Sequence, residues 1–183
     1  LYEKGLIEEI GLSNTGPKRL KFLYQKLKKR GIKINSIQMQ FSLLSKPSLE
    51  DERIKNICNQ HNIEYLAYSP LALGVLTIPP DKSPKPSTFL RQKLFQSTLS
   101  KTNDLRKILF TIGQNYSATQ AQVALNWVRS HGAKPIVGIR NPYQAKDAIS
   151  ALNWSLTKNE KEKLDSFRDE CLANMPQNPF NSP

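Results

Sequence analysis

Apolar residues recur along this chain first at strand spacing and then at helical spacing, and that alternation repeats. Ile7, Ile10 and Leu12 predict a short strand ending at Ser13 and Asn14. Pro17 then opens a helix with Leu20, Leu23, Tyr24 and Leu27 on one face, stopped by Gly31. Residues 34–44 predict a second strand, with Ile37, Met39 and Phe41 on one side and Gln38 and Gln40 on the other. A helix over 49–61 turns Ile54, Ile57 and Cys58 inward, and residues 63–68 form a compact buried strand.

The rhythm breaks over 69–86, where Ser69-Pro70-Leu71, Gly74, Pro79-Pro80, Pro84 and Pro86 predict a long irregular excursion, the kind of segment that carries function. Helices are predicted over 89–96, 99–116 and 119–131, a fourth strand over 133–138, a short helix over 142–150 and a last amphipathic helix over 157–171. Four strands with covering helices make a parallel α/β fold, either a small open sheet or half of a (β/α)8 barrel. Chemistry collects at the carboxyl ends of such strands. Ser13 and Asn14 there offer a hydroxyl, a carboxamide and backbone amides to a polar ligand, but taken alone the stretch favours plain turn and N-cap chemistry.

Composition bounds the reading. With 183 residues, 38% apolar and 23% charged, the chain can bury one core and is not of disordered composition. No apolar run approaches the roughly 20 residues that cross a bilayer, and no signal-peptide pattern opens the chain. It begins at Leu1 without Met, which reads as a cut. Cys58 and Cys171 give no disulfide framework, so a reducing compartment is expected. His61 and His131 stand apart, each at a helix end where the last carbonyls are the expected partners, and no metal-ligand cluster is read. A formal net charge of +12 favours polyanionic partners at long range. The one dense cluster, Lys26-Leu27-Lys28-Lys29-Arg30, closes a helix and is explained by its dipole and by solvation. With no reading helix or aromatic-interleaved basic strand beside it, nucleic-acid binding is not expected.

The ordered motifs Ile10-Gly11-Leu12-Ser13-Asn14, Gln38-Met39-Gln40-Phe41-Ser42-Leu43-Leu44, Ala67-Tyr68-Ser69-Pro70-Leu71-Ala72-Leu73-Gly74, Gln122-Val123-Ala124-Leu125-Asn126-Trp127 and Pro135-Ile136-Val137-Gly138-Ile139-Arg140 together resemble the aldo-keto reductases. Tyr2-Glu3-Lys4-Gly5-Leu6, residues 40–45 and the closing Gln177-Asn178-Pro179-Phe180 resemble its plastid pyridoxal reductase-like branch. The resemblance covers nearly the whole chain and implies the C-terminal half of a (β/α)8 barrel, strands five to eight. The half barrel would span residues 1–173, followed by an irregular tail over 174–183.

It further implies an NADP(H) surface. By resemblance Ser13, Asn14 and Gln38 hold the nicotinamide carboxamide, Tyr68 stacks on its ring, and Ser69, Leu71 and Gly74 run beside the pyrophosphate. Gly138, Ile139, Arg140, Gln144 and Asp147 grip the 2′-phosphate and adenine, with Arg140 the charge that selects NADPH. The chain departs from the family pattern at Ile78, Val137 and Ala148, where Gly, Pro and Asn are usual. The family's catalytic Tyr, Lys, Asp and His belong to the other half, so no catalytic residue is assigned. Two functions remain open: the cofactor-binding half of a carbonyl reductase acting on a small aldehyde or ketone such as pyridoxal, or a catalytically silent subunit whose open barrel edges are covered by other protein chains. The plastid stroma or the cytoplasm is the expected compartment, with the plastid favoured by the resemblance.

Overall fold

The computed structural model describes residues 1–45, 49–84, 89–170 and Met175. Pro86, Cys171, the motif over 177–180 and all of the expected tail except Met175 lie outside the described residues.

Four parallel strands, β1 (Ile10–Ser13), β2 (Ile34–Gln40), β3 (Glu64–Tyr68) and β4 (Lys134–Pro135), form one sheet in chain order, so β1 and β4 are its edges. Helices α1 (Pro17–Lys28) and α2 (Leu49–His61) connect the first three strands. Helices α3 (Phe89–Thr98), α4 (Asn103–Asn115) and α5 (Gln120–Ser130) separate β3 from β4, and α6 (Pro142–Ser150) and α7 (Lys158–Glu170) follow. The expected helix α2 has the residues read from the pattern. Gly16 rather than Ser13 or Asn14 is the N-cap of α1, with Pro17 in the first turn, where its missing N–H costs no bond.

Three strand expectations are corrected. Ile7 precedes β1 and is exposed. β2 stops at Gln40 because Ser42 and Ser45 turn the chain: the Ser42 amide donates to Ser45 Oγ at 2.9 Å and the Leu44 amide to Ser42 Oγ at 3.2 Å. The fourth strand pairs only through Lys134–Pro135, with Ile136 adding one bond to the Ala67 carbonyl at 2.8 Å. The helix expected over 99–116 begins at Asn103, because Thr102 Oγ1 donates to the Thr98 and Leu99 carbonyls and closes the turn after α3.

The core lies between the sheet and its helices, with buried residues from α1, α2, α3, α4, α5 and α7. Ile37, Met39 and Phe41 are buried while Gln38 and Gln40 are partly exposed, as their alternation predicts. Phe41 stacks on Trp127 with ring centroids 5.1 Å apart, and the Trp127 indole N–H donates to Asp165 Oδ1 at 2.7 Å. At the start of α7 the Thr157 amide donates to Glu160 Oε2 and the Glu160 amide to Thr157 Oγ1, a reciprocal cap of that helix end. Between α4 and α5 a Cβ on Gly113 would stand 2.6 Å from the Ala118 carbonyl, so only glycine admits this close turn.

Neither histidine serves a helix terminus with its ring. His61 stacks on Tyr24 at 3.9 Å between centroids, and His131 Nε2 lies 2.8 Å from Asp165 Oδ1 beside Trp127. Burial lowers the His131 pKa, with Asp165 opposing only in part. Because the folded value lies below the unfolded one, the unfolded chain binds the extra proton first. His131 therefore supports the fold above its unfolded pKa of about 6.5 and destabilises it as pH falls through the folded value. Thermal melts across this range should show a loss of stability on acidification that is smaller in His131→Gln.

Candidate cofactor cleft

The carboxyl ends of β1, β2 and β3 meet through Asn14. Its backbone is left-handed, with φ of 51°, a conformation that Asn tolerates better than most residues. The Asn14 amide donates to the Gln38 carbonyl at 3.0 Å, and the Tyr68 hydroxyl donates to Asn14 Oδ1 at 2.8 Å. Ser13 pairs in register with Gln38, and Gln38 with Leu66. Ser13, Asn14, Gln38 and Tyr68, widely separated in sequence, are thus gathered at one end of the sheet. Tyr68→Phe deletes the bond across β1 and β3 and should cost about 0.5–1.5 kcal/mol, measured by urea unfolding.

After β3 the chain enters a tight segment over Ala72–Thr77 that is kinked by non-helical backbone at Leu73 and Gly74. Ser69, Ala72 and Leu73 all take positive φ (53°, 49° and 54°), as does Gly74 at 97°. Three non-glycine residues in the left-handed region within one short loop store backbone strain that the surrounding contacts must hold. Within the turn the Ala72 amide donates to the Ser69 carbonyl and the Gly74 amide to that of Leu71, both at 2.9 Å, and the base of the loop is fixed separately. Arg106, 2% exposed, donates from Nη1 to the Pro79 carbonyl at 2.7 Å and to those of Ile78 and Lys82 at 3.4 and 3.3 Å. Its Nη2 reaches the Leu99 carbonyl at 3.0 Å and Asn103 Oδ1 at 3.1 Å. Burial lowers the Arg106 pKa and Asp81 opposes the shift. Gln120 Nε2 donates to the Ile78 and Arg106 carbonyls, joining loop, α4 and α5. Ile78, where the family pattern has Gly, has ordinary extended backbone (φ −76°, ψ 127°), so a side chain is accommodated there without strain.

Beyond β4 the chain runs to Arg140, whose backbone amide donates to Gln144 Oε1 at 2.8 Å, while Asn141 caps α6 by accepting from the Gln144 amide at 2.9 Å. Asp147 faces α5. Its carboxylate accepts from Thr119 Oγ1 at 3.1 and 3.0 Å and from Gln122 Nε2 at 2.7 Å, fixing α6 against the start of α5. Between this segment and the loop after β3 opens a cleft of about 600 Å³. Ser69, Leu71, Gly74, Gly138, Ile139, Arg140, Gln144 and Asp147 all line it. The four residues at the strand ends do not, and stand beside Ser69 through Tyr68. The expectations missed Leu73, Thr77, Ala121 and Leu125 in the lining and Arg106 beneath it. Ala121 and Leu125 carry a usable signal, the four-residue spacing that puts them on one face of α5.

The cleft is chemically suited to a long polar molecule with an apolar part. Leu71, Leu73, Ala121, Leu125 and Ile139 supply apolar wall, and Arg140 a guanidinium that has no side-chain partner among the described residues. A Cβ placed on Gly138 would meet nothing within 4 Å, so the backbone there opens onto free space. The first turn of α6 adds a favourable dipole for an anion beside Arg140.

A parallel sheet with a cleft outside the strands' carboxyl ends is the arrangement in which open α/β proteins place their ligand sites. The sequence model of the aldo/keto reductase family matches residues 1–169, and the chain belongs to that family. It is 39% identical over 180 residues to the chloroplastic pyridoxal reductase of Arabidopsis thaliana, covering 98% of this chain and 49% of that protein. Its fold superposes on a glycerol dehydrogenase of Gluconobacter oxydans with a TM-score of 0.68 at 22% identity, over 100% of this chain and 55% of the other. An aldo-keto reductase of Bombyx mori in complex with NADP matches with a TM-score of 0.63 at 19% identity, over 91% and 46%. The chain spans about half the length of the relatives it matches.

Proposed function

We propose that this chain is the cofactor-holding, C-terminal half of an aldo-keto reductase barrel, one domain over 1–173, and that the whole protein reduces a small carbonyl compound with NADPH. Pyridoxal is the candidate substrate and the plastid the candidate compartment, both through the Arabidopsis relative. One observation carries the reading: eight residues that the resemblance assigns to NADPH, drawn from the loop after β3, the segment after β4 and α6, line a single cleft.

The chemistry that NADPH supplies when bound is a hydride for a carbonyl carbon. The chain's own residues divide the remaining work. Arg140 and the start of α6 hold the 2′-phosphate by charge. Ile139 and Leu71 flank the apolar part, while Ser13, Asn14 and Gln38 orient the nicotinamide carboxamide, whose donor and acceptor both need partners. Tyr68 offers its ring face, and its hydroxyl stays bound to Asn14. No residue here is assigned as proton donor. In the resemblance that role, with the partners that tune it, falls to the other half of the barrel.

Titration with NADPH followed by nicotinamide fluorescence tests this reading: saturable binding, much tighter than that of NADH, is expected. A second reading, a silent subunit enclosed by other chains, is favoured by Ile136, Ile139, Ile149 and Leu152. They are 42–64% exposed, and Ile139, Ile149 and Leu152 line a second cavity of about 600 Å³ next to edge strand β4. It predicts no NADPH binding and co-purification with partner chains.

A further inference from the structure

We propose that the outward face of α1 is a docking surface for an anionic lipid bilayer. Between Ile10 and Leu49 the sequence carries nine Lys and Arg residues and no Asp or Glu. Eight of them, Lys18, Arg19, Lys21, Lys26, Lys28, Lys29, Arg30 and Lys33, are described, and all are exposed. Among the described residues only Arg30 has a carboxylate partner, Glu3 at 2.9 Å. Termination by a helix dipole does not account for this. Lys18, Arg19 and Lys21 crowd the first turns of α1, where the dipole disfavours cations, and no acidic residue offsets them.

The arrangement identifies the partner. Leu20 is buried, and Leu23, Tyr24 and Leu27 pack on the core, so only the opposite strip of α1 is available. Along it Lys18, Phe22, Lys26 and Lys29 follow at spacings of four, four and three, one row on one face. Phe22 is 56% exposed in the centre of that row, and the Lys26 ammonium lies 5.6 Å from its ring centroid. The strip is about 18 Å long. Phosphate backbones would be served by the cations without Phe22, and an acidic protein would need an apolar pocket for it. A bilayer surface takes both at once, headgroup charge against the lysines and an aromatic ring at the level where acyl chains begin.

Docking there is compatible with an open cleft. α1 runs from the carboxyl end of β1 back toward the amino end of β2, so Lys26–Arg30 lie at the far end of the sheet from the cleft, which has no lining residue on α1.

Co-sedimentation of the full chain with vesicles of phosphatidylcholine alone, or of equal parts phosphatidylcholine and phosphatidylglycerol, tests the proposal. Binding is expected only to the anionic vesicles and is released by salt. Lys26→Gln with Lys29→Gln should weaken it by at least about tenfold. Phe22→Ser should weaken it at unchanged charge, whereas Lys158→Gln with Lys163→Gln on α7 should have little effect. These positions are exposed, and circular dichroism melts verify that each variant folds. Failure to sediment with anionic vesicles, equal loss from the α7 variant, insensitivity to Phe22→Ser, or tighter binding to polyuridylate RNA than to the vesicles would overturn it.

Discussion

Arg140→Ala is expected to weaken NADPH binding by about 10- to 100-fold, the equivalent of the roughly 1.5–3 kcal/mol that a charge-assisted hydrogen bond contributes. NADH binding should be nearly unchanged, because NADH lacks the phosphate that the proposal places against the guanidinium. Arg140→Lys should recover only part of the loss. An ammonium keeps the charge but cannot make the paired contact. The Arg140 side chain is exposed, with no partner among the described residues, so the fold should be indifferent to both variants. Parallel titrations with the two nucleotides give the ratio directly, and an equal loss for both would remove Arg140 from the phosphate site.

The second large effect is on stability. Arg106→Met should cost about 3–5 kcal/mol, a large share of the roughly 5–15 kcal/mol that holds a domain of this kind. The guanidinium is the shared donor for the carbonyls of Ile78, Pro79, Lys82 and Leu99 and for Asn103 Oδ1, and Met has no donor to offer them. Arg106→Lys should restore only part, since one ammonium cannot span both sides of the fork. The urea midpoint measures the cost. Partial unfolding should begin in the loop over 78–82, where Asp81 also depends on Asn103 through bonds of 3.0 and 2.8 Å. A loss under about 1 kcal/mol would mean that water replaces the guanidinium and that the loop is held elsewhere.

Helices α1 and α2 were legible because their apolar residues repeat at helical spacing, and α1 and α6 because Pro stands in their first turn. The strand errors have a common origin. Apolar alternation continues through Phe41 and Leu43, but Ser42 and Ser45 bond to the local backbone and bend the chain away from the ladder. Ile136 and Val137 read as part of the fourth strand, yet β4 is an edge with no neighbour on its far side among the described residues, and Ile136 remains exposed. Arg106 was illegible. A charge between Leu105 and Lys107 reads as a solvent position, and only the fold of the loop over it makes it a buried donor. The same holds for His131, whose partner Asp165 is 34 residues away.

The candidate site divides similarly. Turn chemistry alone located Ser13 and Asn14 at a strand end, but by itself it favoured turn and capping roles over ligand binding. The bond from Tyr68 to Asn14 links positions 54 residues apart, which no local pattern foretells. Asp147 was among the five residues that the resemblance assigned to the 2′-phosphate and adenine. Its carboxylate is instead engaged with Thr119 and Gln122, so what it brings to the cleft is first the placement of α6.

Hydrogen exchange followed by mass spectrometry, with and without NADPH, tests the central claim most directly because it reports where the nucleotide acts. The account predicts slowed exchange in two separated stretches, the loop over 69–77 and the segment over 138–148, with little change in α1 or α7. Uniform exchange with and without NADPH, or protection confined to other elements, would contradict the assignment of the cleft.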